Sequence, residues 1–209
     1  MIQNPFSSQF SSLVDKNMSC SIRFNPLDET TERWKTFSPI YGLELTENPP
    51  SGISVGLKND CDLFNWEVIV EGPTGSYYEG GLFRAELSFP SDFPNNPPEM
   101  KFISKMWHPN IFEDGKVCIS ILHAPGVDMF NEFETQEERW RPILSVEAIL
   151  ISVQNMLSEP NENSPANIDA AKQYRDNRAQ FKKQVRRTVQ DSLEEMWSVC
   201  YIQTAKERS

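Results

Sequence analysis

Histidine is nearly missing from this chain, with two in 209 residues, and cysteine is sparse, with four. The cysteines, Cys20, Cys61, Cys118 and Cys200, are too far apart for a Cys-x-x-Cys pair, so no zinc site is indicated. An even count permits disulfides, but this spacing reads as free thiols in an intracellular chain. No apolar run is long enough to span a membrane. The N-terminus also lacks the apolar core of a signal peptide, and a cytoplasmic and/or nuclear location is expected. Positive charge is in deficit: 20 Lys and Arg face 30 Asp and Glu, a formal charge of −10. That balance argues against nucleic-acid binding, which needs a basic face. It suits solubility, or a partner with a basic surface. Glycine stops at Gly126.

What is present falls into three stretches. Residues 1–24 are Ser-rich without sustained periodicity and read as a flexible arm. Residues 25–195 read as one catalytic domain, and 196–209 as a helical extension or tail. Within the domain, apolar residues first alternate with polar ones. Ile53, Val55 and Leu57 share one face, as do Phe64, Trp66, Val68 and Val70. Phe83, Ala85, Leu87 and Phe89 follow, then Met100 and Phe102. Turn residues separate the runs, as at Gly72-Pro73-Thr74-Gly75. The pattern predicts a four-stranded antiparallel meander with one face solvated. From Ile143 to Leu157 the chain is apolar on most sides, which predicts a buried central helix ended by Pro160. A further helix is expected to start at Asn167 as N-cap. A last one follows, with Phe181, Val185, Val189 and Leu193 at i, i+4, i+8 and i+12. The fold class is α+β.

The stretch Met106–Leu122 carries the chemistry. His108-Pro109-Asn110 is followed eight residues on by Cys118. Pro109 fixes its own φ and keeps His108 out of the helical region. Gly115 permits a turn that sends the chain back toward Asn110. A thiol beside an amide donor suits acyl transfer: the sulfur carries the acyl group and the donor steadies the oxyanion.

This His-Pro-Asn…Cys spacing resembles the active-site loop of ubiquitin-conjugating enzymes. Tyr78-Glu79-Gly80-Gly81-Leu82-Phe83, Phe89 to Pro98, Trp140-Arg141-Pro142 and Pro160-Asn161…Ser164-Pro165-Ala166-Asn167 continue the resemblance in order. It implies the ubiquitin-conjugating (UBC) fold, no cofactor, and Cys118 accepting ubiquitin as a thioester from the activating enzyme. A substrate lysine, or a lysine of another ubiquitin, then attacks with a RING-type ligase assisting. Asn110 is implied as oxyanion stabiliser, the alternative being a brace for its own loop. His108, Pro109 and Ser164 support the loop. Ligase contact is implied for Phe93, Pro94, Asn95, Trp140 and Pro142.

Three departures from the family pattern stand out. The region of the usual basic first helix carries only Arg33 and Lys35 and is broken by Ser38-Pro39 and Gly42, so an atypical helix and an altered activating-enzyme contact are expected. Asn95 replaces a common apolar side chain. Ser164 stands where Asp is frequent, and an acidic insert of about a dozen residues separates Cys118 from Trp140. The insert resembles the long-insert branch (the Cdc-thirty-four and G-type enzymes). Asp128, Glu132 or Glu134 is expected to replace the missing acid, orienting the lysine ammonium or taking its proton. Three competing readings remain: a thiol hydrolase using His108 or His123, neither with an evident orienting acid; a non-catalytic binding member of the fold; and a conjugating enzyme for another ubiquitin-like protein.

Overall fold

The structure, a computed structural model, describes Leu45 and residues 48–59, 62–126 and 134–207, with side chains to Ser198. The arm over 1–24, the interrupted first helix with Arg33 and Lys35, and the insert residues Asp128 and Glu132 lie outside the described residues.

Strands β1 (Ile53–Asn59), β2 (Asp62–Glu71), β3 (Leu82–Ser88) and β4 (Glu99–Phe102) pair antiparallel in sequence order. The predicted alternation becomes cross-strand rows. Val55 faces Val68, Val68 faces Ala85, and Ala85 faces Phe102. The next row joins Leu57, Trp66, Leu87 and Met100. All are buried except Leu57, which ends its row at the sheet edge. Each Val, Leu or Phe so buried contributes about 1.5–3 kcal/mol. The opposite face carries charge instead: Arg84 meets Glu67 at 2.7 Å and Lys58 meets Glu86 at 2.6 Å. These half-exposed pairs set the polarity of the face and add less than about 1 kcal/mol each.

Helix α1 (Val146–Ser158) lies against the buried face through Val146, Ile149, Leu150, Val153, Met156 and Leu157. It starts three residues later than the apolar run. Ser145 is the N-cap, its hydroxyl accepting from the Ala148 N–H at 3.1 Å. Ile143 is therefore outside the helix and 86% exposed. Helix α2 (Ile168–Asp176) starts at its expected cap, the Asn167 side chain accepting from the Ala170 N–H at 2.9 Å.

Helix α3 (Arg178–Glu207) corrects one detail of the apolar pattern. A strict four-residue spacing drifts about 40° per step around a helix of 3.6 residues per turn. The buried side instead follows Phe181, Val185, Thr188, Ser192 and Met196, while Val189 and Leu193 are half-buried. The polar members have partners. Ser192 Oγ accepts the Leu82 N–H at 3.3 Å, supplying a partner to the first residue of β3. Ser104 Oγ accepts the Arg84 N–H and donates to Glu195, tying α3 to the other side of that strand. The helix runs without a break through residue 196, so the expected C-terminal extension is the same element. No described helix is long and apolar enough to cross a membrane.

Candidate active site

Residues 110–118 form a tight hairpin on the β4 edge. Phe112 and Gly115 close its turn, the Gly115 N–H donating to Phe112 O at 2.9 Å. Gly115 has φ +93°, and a Cβ there would lie 2.1 Å from Phe102 O. Only glycine lets the turn sit this close to β4, where Phe102 N–H donates to Gly115 O at 2.8 Å. The result is the approach expected from the sequence: Cys118 N–H donates to Asn110 O at 3.0 Å.

The His-Pro-Asn step is fixed from below. His108 is fully buried, its Nε2–H donating to Met156 O at 2.9 Å while Nδ1 accepts the Asn110 N–H at 2.9 Å. Burial lowers its pKa to about 4, so the ring is neutral and structural. Pro109 O accepts from the N–H groups of both Ala166 and Asn167. The Asn110 side chain faces the 161–164 segment. Its Nδ2 donates to Asn161 O at 2.8 Å and to Ser164 O at 3.3 Å, and its Oδ1 accepts the Asn161 N–H at 2.8 Å. In this resting geometry Asn110 braces, and Ser164 takes part through its backbone.

The insert returns to its own start. Trp140 N–H donates to His123 O at 3.1 Å, and an Arg139 Nη1–H donates to Ala124 O at 3.2 Å. The closure brings Glu134 and Arg139 beside the thiol. Cys118 Sγ lies 3.6 Å from His123 Nε2, and His123 Nδ1 lies 2.7 Å from Glu134 Oε1. The other oxygen, Glu134 Oε2, accepts from Arg139 Nε and Nη2 at 2.9 and 2.6 Å. Burial pushes the Glu134 carboxyl up, but hydrogen bonds from Ser120, Arg139 and His123 outweigh it and hold the carboxyl below its ordinary value. Burial raises the Cys118 pKa, with Glu134 adding to it and Lys116 opposing. The resting group is a thiol.

This line of four side chains corrects two expectations. His123 does have an orienting acid. That acid, Glu134, has a side chain only 4% exposed and is bound on both oxygens, so it stands behind the imidazole and does not face an incoming lysine. The expected ligase-contact residues also divide. Phe93 and Trp140 are buried, their rings 5.6 Å apart, with Trp140 Nε1–H donating to Pro94 O at 2.7 Å. They lock the two loops together, whereas Asn95, Pro142 and Ile143 are exposed and Pro94 is half-buried. Among the described residues no cluster of His, Cys, Asp and Glu could hold a metal ion.

The ubiquitin-conjugating enzyme family model matches residues 32–189 of this chain. The chain belongs to the ubiquitin-conjugating enzyme family. It is 56% identical over 151 residues to ubiquitin-conjugating enzyme E2 15 of Schizosaccharomyces pombe, which covers 72% of this chain and 90% of that protein. It is 53% identical over 150 residues to the Homo sapiens ubiquitin-conjugating enzyme E2 G2, covering 72% and 90%. Among solved structures, human ubiquitin-conjugating enzyme E2 G1 superposes with a TM-score of 0.54 at 48% identity, over 61% of this chain and 97% of that one. The meander, central helix and C-terminal helices are thus a UBC fold, of the G-type branch. The activity is that of a transferase that forms a cysteine thioester with ubiquitin, which removes the hydrolase reading. Ubiquitin, an activating enzyme and a ligase are the partners of such an enzyme.

Proposed function

We propose that Cys118 carries the ubiquitin thioester and that a RING-type ligase promotes its transfer to a lysine of a substrate or of another ubiquitin. The observation that carries this reading is the hairpin, which holds the Cys118 backbone against Asn110 at 3.0 Å and leaves the thiol half-exposed. Cys118 is also the cysteine that follows the family's His-Pro-Asn step. Asn110 is the oxyanion donor of this reading and His108, Pro109 and Ser164 support its loop. Arg33 and Lys35 are the proposed contacts for the activating enzyme. Pro94, Asn95, Pro142 and Ile143 are the proposed ligase surface. Asp128 and Glu132 are the insert acids left to orient the ammonium, because Glu134 is engaged. The proposed location is the cytoplasm, the nucleus or both.

The test is a charging assay with activating enzyme, ATP and ubiquitin, read on a non-reducing gel. A thiol-sensitive adduct is expected for the wild type and none for Cys118→Ala. An adduct retained in Cys118→Ala refutes the assignment. Adding lysine to the charged protein reads discharge, which Asp128→Ala with Glu132→Ala is expected to slow while leaving charging intact.

A further inference from the structure

An open groove of about 740 Å³ lies between the tip of the hairpin, residues 112–116, and the start of α2, residues 166–172. It adjoins the reaction centre from both walls. On the α2 side, the N–H groups of Ala166 and Asn167 donate to Pro109 O, next to Asn110. On the hairpin side, Lys116 stands two residues before Cys118. Side chains two apart on extended chain share a face, and the Lys116 charge acts on the thiol.

The side chains that line the groove give it a definite chemistry. Phe112 on one wall and Ile168 on the other are 41% and 61% exposed, so apolar surface faces solvent on both sides. Of the charged groups, Lys116 is paired with Glu99 and Asp114 with Lys101, and Lys172 lies near Asp176. Glu113 and Asp169 are engaged by no hydrogen bond or ion pair among the described residues. The uncompensated charge of the groove is therefore negative. The start of α2 does not reverse this. A helix N-terminus favours an anion, but here Asn167 already caps the Ala170 N–H and Asp169 already occupies the first turn.

We propose that this groove seats the acceptor chain around its target lysine, and that it selects acceptors with an apolar residue and basic residues close to that lysine. A lysine that attacks a thioester on Cys118 brings its own flanking chain over the surface beside the cysteine, and the groove is continuous with that surface. The apolar flanking residue packs between Phe112 and Ile168, and the basic ones face Glu113 and Asp169. The groove thus acts on how well the acceptor docks, and leaves charging and the chemistry of transfer alone. The inference rests on Cys118 being the thioester site.

The experiment charges the full chain with ubiquitin and follows discharge to three acceptors. They are free lysine, a short N-acetylated peptide with one lysine flanked by leucine and arginines, and its counterpart with glutamates for the arginines. The wild type is expected to discharge about 10-fold faster to the arginine peptide than to the glutamate one at equal concentration, through KM, and the ratio is expected to shrink at high salt. Glu113→Gln with Asp169→Asn is expected to charge normally and discharge to free lysine at the wild-type rate, with the ratio reduced to about 2-fold. Ile168→Ser is expected to slow discharge to both peptides about 5-fold and leave free lysine unaffected. Equal rates to the two peptides, or a wild-type ratio retained in the double variant, overturns the proposal; the latter result would assign the preference to the net charge of the whole chain. A second measurement does not need charging. Titration of the uncharged protein with the arginine peptide is expected to shift amide NMR signals of residues 112–116 and 166–172, and no shift there overturns the groove. Failure of the wild type to charge, with those shifts present, would count instead against Cys118 as the thioester site.

Discussion

His108 should make the protein acid-labile in a defined window. The ring is fully buried and neutral, with both nitrogens committed to backbone partners. Its pKa falls from 6.5 to about 4 in the folded state, mainly because burial penalises the charged form. At pH above 6.5 the ring is neutral in both folded and unfolded chains, and it contributes no pH dependence. As pH falls below 6.5 the unfolded chain takes up the proton and the folded one does not, so stability is lost. The loss stops once pH passes the folded value near 4. A gap of this size corresponds to about 3 kcal/mol in full, of which about 2 kcal/mol is gone by pH 5. That is a large part of the 5–15 kcal/mol of a typical domain. Other groups titrate as well, so the readout is a difference. Urea unfolding of wild type and His108→Gln is followed from pH 7.5 to pH 4. The variant is expected to be less stable at pH 7.5, where it loses packing, and the two curves are expected to converge by about 3 kcal/mol as pH falls. A stability difference that is constant with pH would refute the argument.

Two substitutions separate architecture from chemistry at the hairpin. Gly115→Ala places a Cβ 2.1 Å from Phe102 O at a positive φ, and a loss of more than about 2 kcal/mol is expected in thermal or urea unfolding. Asn110→Ala leaves the Asn161 N–H and carbonyl without their side-chain partner, at about 1–3 kcal/mol in urea unfolding. If Asn110 is also the oxyanion donor, lysine discharge falls by about 10²–10³-fold at a temperature where the variant is fully folded.

The sheet was legible because its signal is local. A period of two over Phe83–Phe89 fixes which side chains share a face, and Asn167 marks a helix start by its own chemistry. The hairpin was legible for the same reason, since Pro109 and Gly115 each constrain the backbone at one residue. The α3 stripe is less legible, because polar residues share its buried side. Thr188 and Ser192 look like surface residues until Ser192 is seen to satisfy Leu82. Motif position says nothing about burial, so the sequence does not show that Phe93 and Trp140 are two large rings filling the gap where two loops meet. The His123–Glu134 pair was hidden for another reason. Ten residues of aperiodic, acidic chain separate the two, and only closure of the insert at Trp140 brings them together. The hint present in the sequence was a single Arg139 among the acids, beside a Trp that anchors the loop's end.

The two polar systems around Cys118 differ in what acylation asks of them. Asn110 Nδ2 already donates twice, at 2.8 Å to Asn161 O and at 3.3 Å to Ser164 O. To reach an oxyanion it must give up one of these, and the longer bond is the weaker. Its oxyanion role therefore carries a reorganisation cost and depends on how firmly the 161–164 segment is held. His123 needs no such exchange: Glu134 holds its ring at 2.7 Å, with Nε2 3.6 Å from Cys118 Sγ. Glu134 and Arg139 do not have to move either, since both are fixed in the resting thiol. The preorganised element of this site is thus the one supplied by the insert. The family's amide is the adaptable one, and its freedom is set by backbone contacts to Asn161 and Ser164. A raised thiol pKa is compatible with this division of work. The acyl group reaches Cys118 already activated as a thioester, so positioning of the sulfur, and not a lowered thiol pKa, carries the attack.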